Sequence, residues 1–137
     1  MERQPEVEVY LRGCPAERVL AWVREAVGPL AGPFDCGGAT AYHPATGAVV
    51  LTPGVEGGPF LGVWFNTPAR PWDTDAECAR AAAAALGCVA RCDPGPHYPE
   101  VHPLSPVFLE VAADGSERLL VWEPQDAEPG AAADPAS

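Results

Sequence analysis

Apolar and polar positions alternate with period two at the start of the chain: Val7, Val9 and Leu11 against Glu6, Glu8 and Tyr10. That pattern predicts a strand with one buried and one wet face. The period then lengthens. Val19, Leu20, Val23, Ala26, Val27 and Leu30 recur at helical spacing while Arg18, Arg24 and Glu25 fall elsewhere, which predicts a helix with Pro15 in its first position and Gly28-Pro29 as its stop. Glu17 lies in its first turn, where the helix dipole favours negative charge.

The middle of the chain reads as three strands, over 38–43, 48–52 and 60–66, separated by a Pro44-Ala45-Thr46-Gly47 turn and a loop rich in Gly and Pro. Pro68 and Pro71 end the last of them. Thr74 followed by Glu77 forms a capping box, so a second helix is expected to run to Leu86 with Gly87 as a left-handed cap. Its apolar positions are mostly alanine, which lets a helix backbone approach a sheet closely. A short strand over 88–92 is ended by Asp93-Pro94-Gly95, and a hairpin closes the pattern. In that hairpin Val107, Leu109, Val111, Leu119 and Val121 share one face across an Asp114-Gly115 turn, while Phe108, Leu120 and Trp122 populate the other. The second face is too apolar to be left wet, so something is expected to cover it. The order β-α-β-β-β-α-β-β-β describes an α+β domain, two helices on a mostly antiparallel sheet.

At 137 residues the chain has the size of one domain, assigned here to 1–123. Residues 124–137 are Pro, Ala, Gly and acid, without a large apolar side chain to offset ordering entropy, and are expected to be disordered. The absence of an apolar run long enough to span a bilayer, and of a basic and apolar leader, predicts a cytoplasmic protein that contacts no membrane. Every basic residue is arginine and Ala, Gly and Pro abound, the bias of a bacterial genome rich in G and C. The formal net charge is −11, and −8 remains on 1–123 once Asp126, Glu128 and Asp134 are set aside. Such a surface repels nucleic acid and steers basic proteins towards it.

Candidate chemistry is sparse. Cys14, Cys36, Cys78, Cys88 and Cys92 make an odd count, which favours free thiols over a disulfide framework. Cys88, Cys92, His97 and His102 offer four zinc-ligand types within a short stretch. However, Cys88 and Cys92 bracket a strand and would sit roughly 13 Å apart at the strand rise. No metal or cofactor is therefore expected. Cys14 at a helix start lacks a CxxC partner, and His43 precedes a turn proline with no nucleophile nearby. Gly37-Gly38 and Gly57-Gly58 match no phosphate-binding pattern. The acids Asp73, Asp75 and Glu77 are explained by capping and dipole compensation. The alternative to a binding module is a small-molecule enzyme or ligand-binding domain that uses the Cys and His residues of the 88–102 segment.

Three stretches carry a family resemblance: Trp72-Asp73-Thr74-Asp75-Ala76-Glu77, then the run from Leu86 through Cys88 and Cys92 to Gly95, and Phe108-Leu109-Glu110-Val111 with Glu117-Arg118-Leu119. Over about residues 60 to 123 the chain resembles small bacterial proteins akin to the immunity partners of polymorphic toxins. The resemblance implies a cytoplasmic inhibitor that blocks a toxin domain by direct binding, and transfers no binding residue. The partner expected on charge is a basic protein. Glu6 and Glu8 on an outer first strand, Asp73 and Asp75 at the second helix start, and Trp72 and Tyr98 as apolar anchors are the candidate contacts.

Overall fold

A computed structural model describes residues 5–55, 57–95 and 106–122. In chain order the elements are β1 (Val7–Arg12), α1 (Ala16–Val27), β2 (Ala31–Asp35), β3 (Thr40–His43), β4 (Ala48–Val55), β5 (Phe60–Asn66), α2 (Asp75–Leu86), β6 (Val89–Cys92), β7 (Val107–Val111) and β8 (Glu117–Val121). The strands form one sheet in the order β2-β3-β4-β5-β1-β6-β7-β8, with every neighbouring pair antiparallel. The α+β class and the expected element order hold, with one addition. β2 reads as a loop because it contains Gly32 and Pro33. It survives as a strand because it is an edge, where a missing N–H costs no ladder bond and a register shift between Ala31 and Phe34 absorbs the irregularity.

A second correction concerns β1. It is not an outer strand but lies between β5 and β6. Its alternation is sharp for that reason: Val7, Val9 and Leu11 are fully buried under the helices, opposite Phe65, Val63 and Leu61 of β5. α1 begins one residue later than expected, with Pro15 in extended conformation as its N-cap. Its buried stripe is Val19, Trp22, Val23 and Val27. Trp22 stacks on Trp72 with centroids 5.0 Å apart, and Phe65 meets both rings edge-on at 6.0 and 5.2 Å. Trp72 is therefore a core ring, only 9% exposed, rather than a surface anchor.

α2 starts as its sequence dictates. The Thr74 hydroxyl accepts from the Glu77 N–H at 3.2 Å, and the Glu77 carboxylate accepts from the Asp73 N–H at 2.8 Å. Gly87 ends the helix in the left-handed region and donates its N–H to the Ala83 carbonyl. Buried Ala76, Ala79, Ala82 and Ala83 carry little bulk, and Cys78, Cys88 and Cys92 fill space in the same cluster. In the β3–β4 turn, Gly47 has φ +89° and lies against the Asn66 carbonyl of β5, where any Cβ would overlap.

The face opposite the helices carries Tyr10 of β1, Phe60 of β5, Arg91 of β6, Phe108 of β7 and Trp122 just beyond β8. The Trp122 ring lies 5.3 Å from Tyr10, 5.1 Å from Phe108 and 5.0 Å from Phe60. β5 and β8 are four strand steps apart, a separation of about 19 Å in a flat sheet. The sheet must therefore curl around this face and bring its far strands together. The curl supplies the cover that Phe108, Leu120 and Trp122 were expected to need. No helix among the described residues is long and apolar enough to cross a membrane.

Candidate functional site

The cleft of interest arises where two strands part. β1 pairs with β5 along Val7 to Leu11, but with β6 only from Tyr10↔Arg91 to Arg12↔Val89. Towards Val7, β1 therefore loses a neighbour, and the Glu8 N–H would be left without a ladder acceptor. Asp75 fills that role: from the first turn of α2 its Oδ1 accepts from the Glu8 N–H at 2.9 Å. On the other bank, Asp93 follows β6 directly and accepts from the Gly95 N–H at 2.9 Å, which fixes the turn. The opening between them, about 420 Å³, is lined by Glu8, Tyr10, Asp75, Asp93 and Phe108.

Three carboxylates and two aromatic rings line this space, with no basic side chain among them. A guanidinium or ammonium group suits such a site, because carboxylates accept its charge-assisted hydrogen bonds and a ring face adds cation–π attraction. No group of three or more His, Cys, Asp or Glu among the described residues is arranged to hold a metal ion.

Beside the cleft, an ion network stiffens the sheet. Glu110 of β7 accepts from Arg91 Nε at 2.9 Å and from Arg118 Nε at 2.8 Å. Burial alone would raise the Glu110 carboxyl, but the hydrogen bonds from Arg118 and Arg91 outweigh it and hold the pKa below the ordinary value. The Arg91 guanidinium also lies over the rings of Phe60 at 4.6 Å and Trp122 at 4.9 Å. These arginines are engaged within the chain, so the cleft stays anionic although Arg91 is near in sequence to Asp93.

Of the expected contacts, Glu8 and Asp75 are brought together across 67 residues of sequence. Glu6 lies on the curled face but outside the cleft lining, where its Oε1 accepts from Trp64 Nε1 at 3.0 Å. Asp73 serves the helix start through its backbone. Tyr98, His97 and His102 lie outside the described residues. Asp93 was legible only as a turn residue, and Tyr10 and Phe108 only as strand residues. Nothing local in sequence places them around one space, because their meeting depends on strand order.

Three of the five thiols do not resemble ligands or nucleophiles. Cys78, Cys88 and Cys92 are buried, and burial is the main cause that raises each pKa: Cys88 to about 11, with Cys14 adding to the rise, and Cys78 and Cys92 well above their ordinary value. The Cys88 Sγ donates to the Ala82 carbonyl at 3.8 Å. His43 is occupied by its turn, with Nδ1 at 3.0 Å from the Gly47 carbonyl and its ring beside Phe34. Compared with protein-family models, curated proteins and solved structures, the chain matches none of them.

Proposed function

We propose that this chain is a non-catalytic binding module that receives a basic side chain of a protein partner in the Glu8–Asp75–Asp93 cleft, and that the partner is a cationic toxin domain which it neutralises. One observation carries the reading: three carboxylates and two aromatic rings, and no basic side chain, line a single opening among the described residues. The net charge of −11 adds long-range steering towards a basic surface. The raised thiol pKa values disfavour the alternative of Cys-based chemistry, since a neutral buried thiol neither attacks nor ligates readily. The toxin half of the reading rests on the family resemblance of residues 60 to 123.

Co-expression with the product of the adjacent gene tests the proposal. That product should be toxic alone, harmless with this chain, and should co-purify with it. In stopped-flow mixing, association should slow steeply as salt rises while dissociation responds less. The double substitution Glu8→Gln, Asp93→Asn should slow association at low salt by about tenfold, the low end of what electrostatic steering supplies. A toxic product that is neither rescued nor captured would end the immunity reading. A captured partner indifferent to the two substitutions would move its site away from the cleft.

A further inference from the structure

The two edges of the sheet differ in how they meet solvent. At β2, Pro33 removes a donor and the register shifts, so the edge is broken as a template. β8 is regular. Trp122 donates its N–H to Pro106, and Ala112 donates to Ser116, which marks the even-numbered residues of β8 as the ones bonded to β7. Hydrogen-bonded and non-bonded pairs alternate in an antiparallel ladder. The N–H and C=O groups of Glu117, Leu119 and Val121 therefore point away from β7, along an edge that no other strand of the described residues pairs with. Beside them project Leu119, 38% exposed, and Val121, 60% exposed, two of the three large apolar side chains that stand exposed among the described residues.

The charges that would guard such an edge are held in ion pairs within the chain. Glu117 is held by Arg80 of α2 with Nε to Oε2 at 2.7 Å, and Arg118 is held by Glu110. With Arg91, and with Asp114 in the turn between β7 and β8, three arginines stand against three carboxylates, so the charges beside this edge balance on a chain that is otherwise strongly acidic. Two copies meeting here bring together ion-paired edges rather than bare carboxylates.

We infer that β8 is a self-pairing edge, at which a second copy of this chain adds antiparallel about a two-fold axis through Leu119. The outward groups belong to residues 117, 119 and 121, so only registers that match odd with odd form ladder bonds. The one centred on Leu119 uses all three from each copy: Leu119 faces Leu119 of the second copy, and Glu117 and Val121 face each other reciprocally. On the helix side of the joined sheet the four exposed Leu and Val side chains then form one apolar strip. A contact between two five-residue edges falls at the small end of interfaces, below about 1,200 Å², so the dimer is weak and depends on concentration. The rest of the acidic surface still repels, so added salt strengthens the dimer, opposite in sign to the effect expected for a basic partner.

Sedimentation equilibrium of the full chain from about 10 µM to about 1 mM tests this, the range in which a small interface is half-formed. The average mass should climb from one chain towards two and climb further at high salt. Leu119→Lys and Val121→Lys, each checked for folding by circular dichroism, should hold the mass at one chain, whereas Phe34→Lys on β2 should leave dimerisation unchanged. In hydrogen exchange, the amides of Glu117, Leu119 and Val121 should gain protection as concentration rises, while those of Arg118 and Leu120, already bonded to β7, should not change. A mass of one chain throughout the range would overturn the inference, as would a dimer that survives both lysine variants or leaves the odd-numbered amides unprotected. Dimerisation that appears only after residues 124–137 are removed would also overturn it, by assigning the edge to the chain's own tail.

Discussion

The two faces of the sheet are built on different principles. Under the helices the contacts are dry: Val7, Val9, Val49, Val63, Leu109 and Val111, with the Trp22–Phe65–Trp72 rings, are almost wholly buried, and α1 and α2 provide the lid. On the other face no helix of the described residues covers the strands, and the sheet covers itself by curling. Its filling is aromatic and cationic, with Tyr10, Phe60, Phe108 and Trp122 around Arg91, and Arg91 tied down by Glu110. Flat rings and a planar guanidinium tolerate a half-wet position that valines do not, because each joins a large apolar area to a group that water or an ion pair can satisfy. The curled face is thus held by side chains that need not be fully dry.

The largest test of this contrast is a pair of truncations. Phe65→Ala removes the ring that meets Trp22 and Trp72 and should cost about 3–5 kcal/mol in urea unfolding, the usual range for a buried aromatic. Trp122→Ala removes a half-buried ring from the curled face and should cost less, about 2 kcal/mol, since part of its area is wet already. An unchanged midpoint for the tryptophan variant would mean that the curled face adds nothing to stability.

Glu110→Gln sharpens the comparison from the electrostatic side. It leaves Arg91 in a mostly buried setting without its carboxylate, and should cost about 2 kcal/mol near neutral pH, below the full penalty of breaking a buried pair because Arg118 is mainly in water. The folded-state pKa of Glu110 lies below its ordinary 4.5, so the stabilisation is fully present above that value and is lost as pH falls through the folded pKa. The gap between the parent and Glu110→Gln unfolding curves should therefore narrow below the ordinary 4.5 and close as pH falls past the lowered folded pKa. Glu117, held low by Arg80, and Asp114, held low by Ser116, titrate in both proteins and cancel. A gap that persists at low pH would show that the loss is one of packing rather than charge.

The smallest expected effect belongs to the helix side. Thr74→Ala removes the α2 cap and should cost about 1 kcal/mol. It should also loosen Asp75, so exchange of the Glu8 amide should speed up more than that of its neighbours in β1. Uniform acceleration along β1 would separate the cap from the cleft.

Much of the fold was legible locally because it depends on local chemistry. The period-two run of β1, the Thr74 and Glu77 box, the Gly87 cap and the Asp93-Pro94-Gly95 turn each specify a backbone state within a few residues. β2 was not legible, because Gly32 and Pro33 argue against a strand until one knows it is an edge. Trp72 was misplaced for a related reason: a tryptophan suits both a core and a contact surface, and only the positions of Trp22 and Phe65 decide between them. Two of the cleft's three carboxylates, Glu8 and Asp75, were read from charge pattern. Asp93 entered only when β6 was seen to part from β1.

By itself, the sequence determined the helices and both caps of α2, all the strands but β2, the acidic balance and the alternation that separates a buried face from a wet one. Each of these follows from side-chain size, polarity and backbone preference over a short span. Tertiary structure alone decided that β1 is central, that the sheet curls until Trp122 meets Phe60, and that Glu8, Asp75 and Asp93 surround one space. Those outcomes depend on which strands pair and where each ladder stops, contacts between residues tens of positions apart that no local window of sequence encodes.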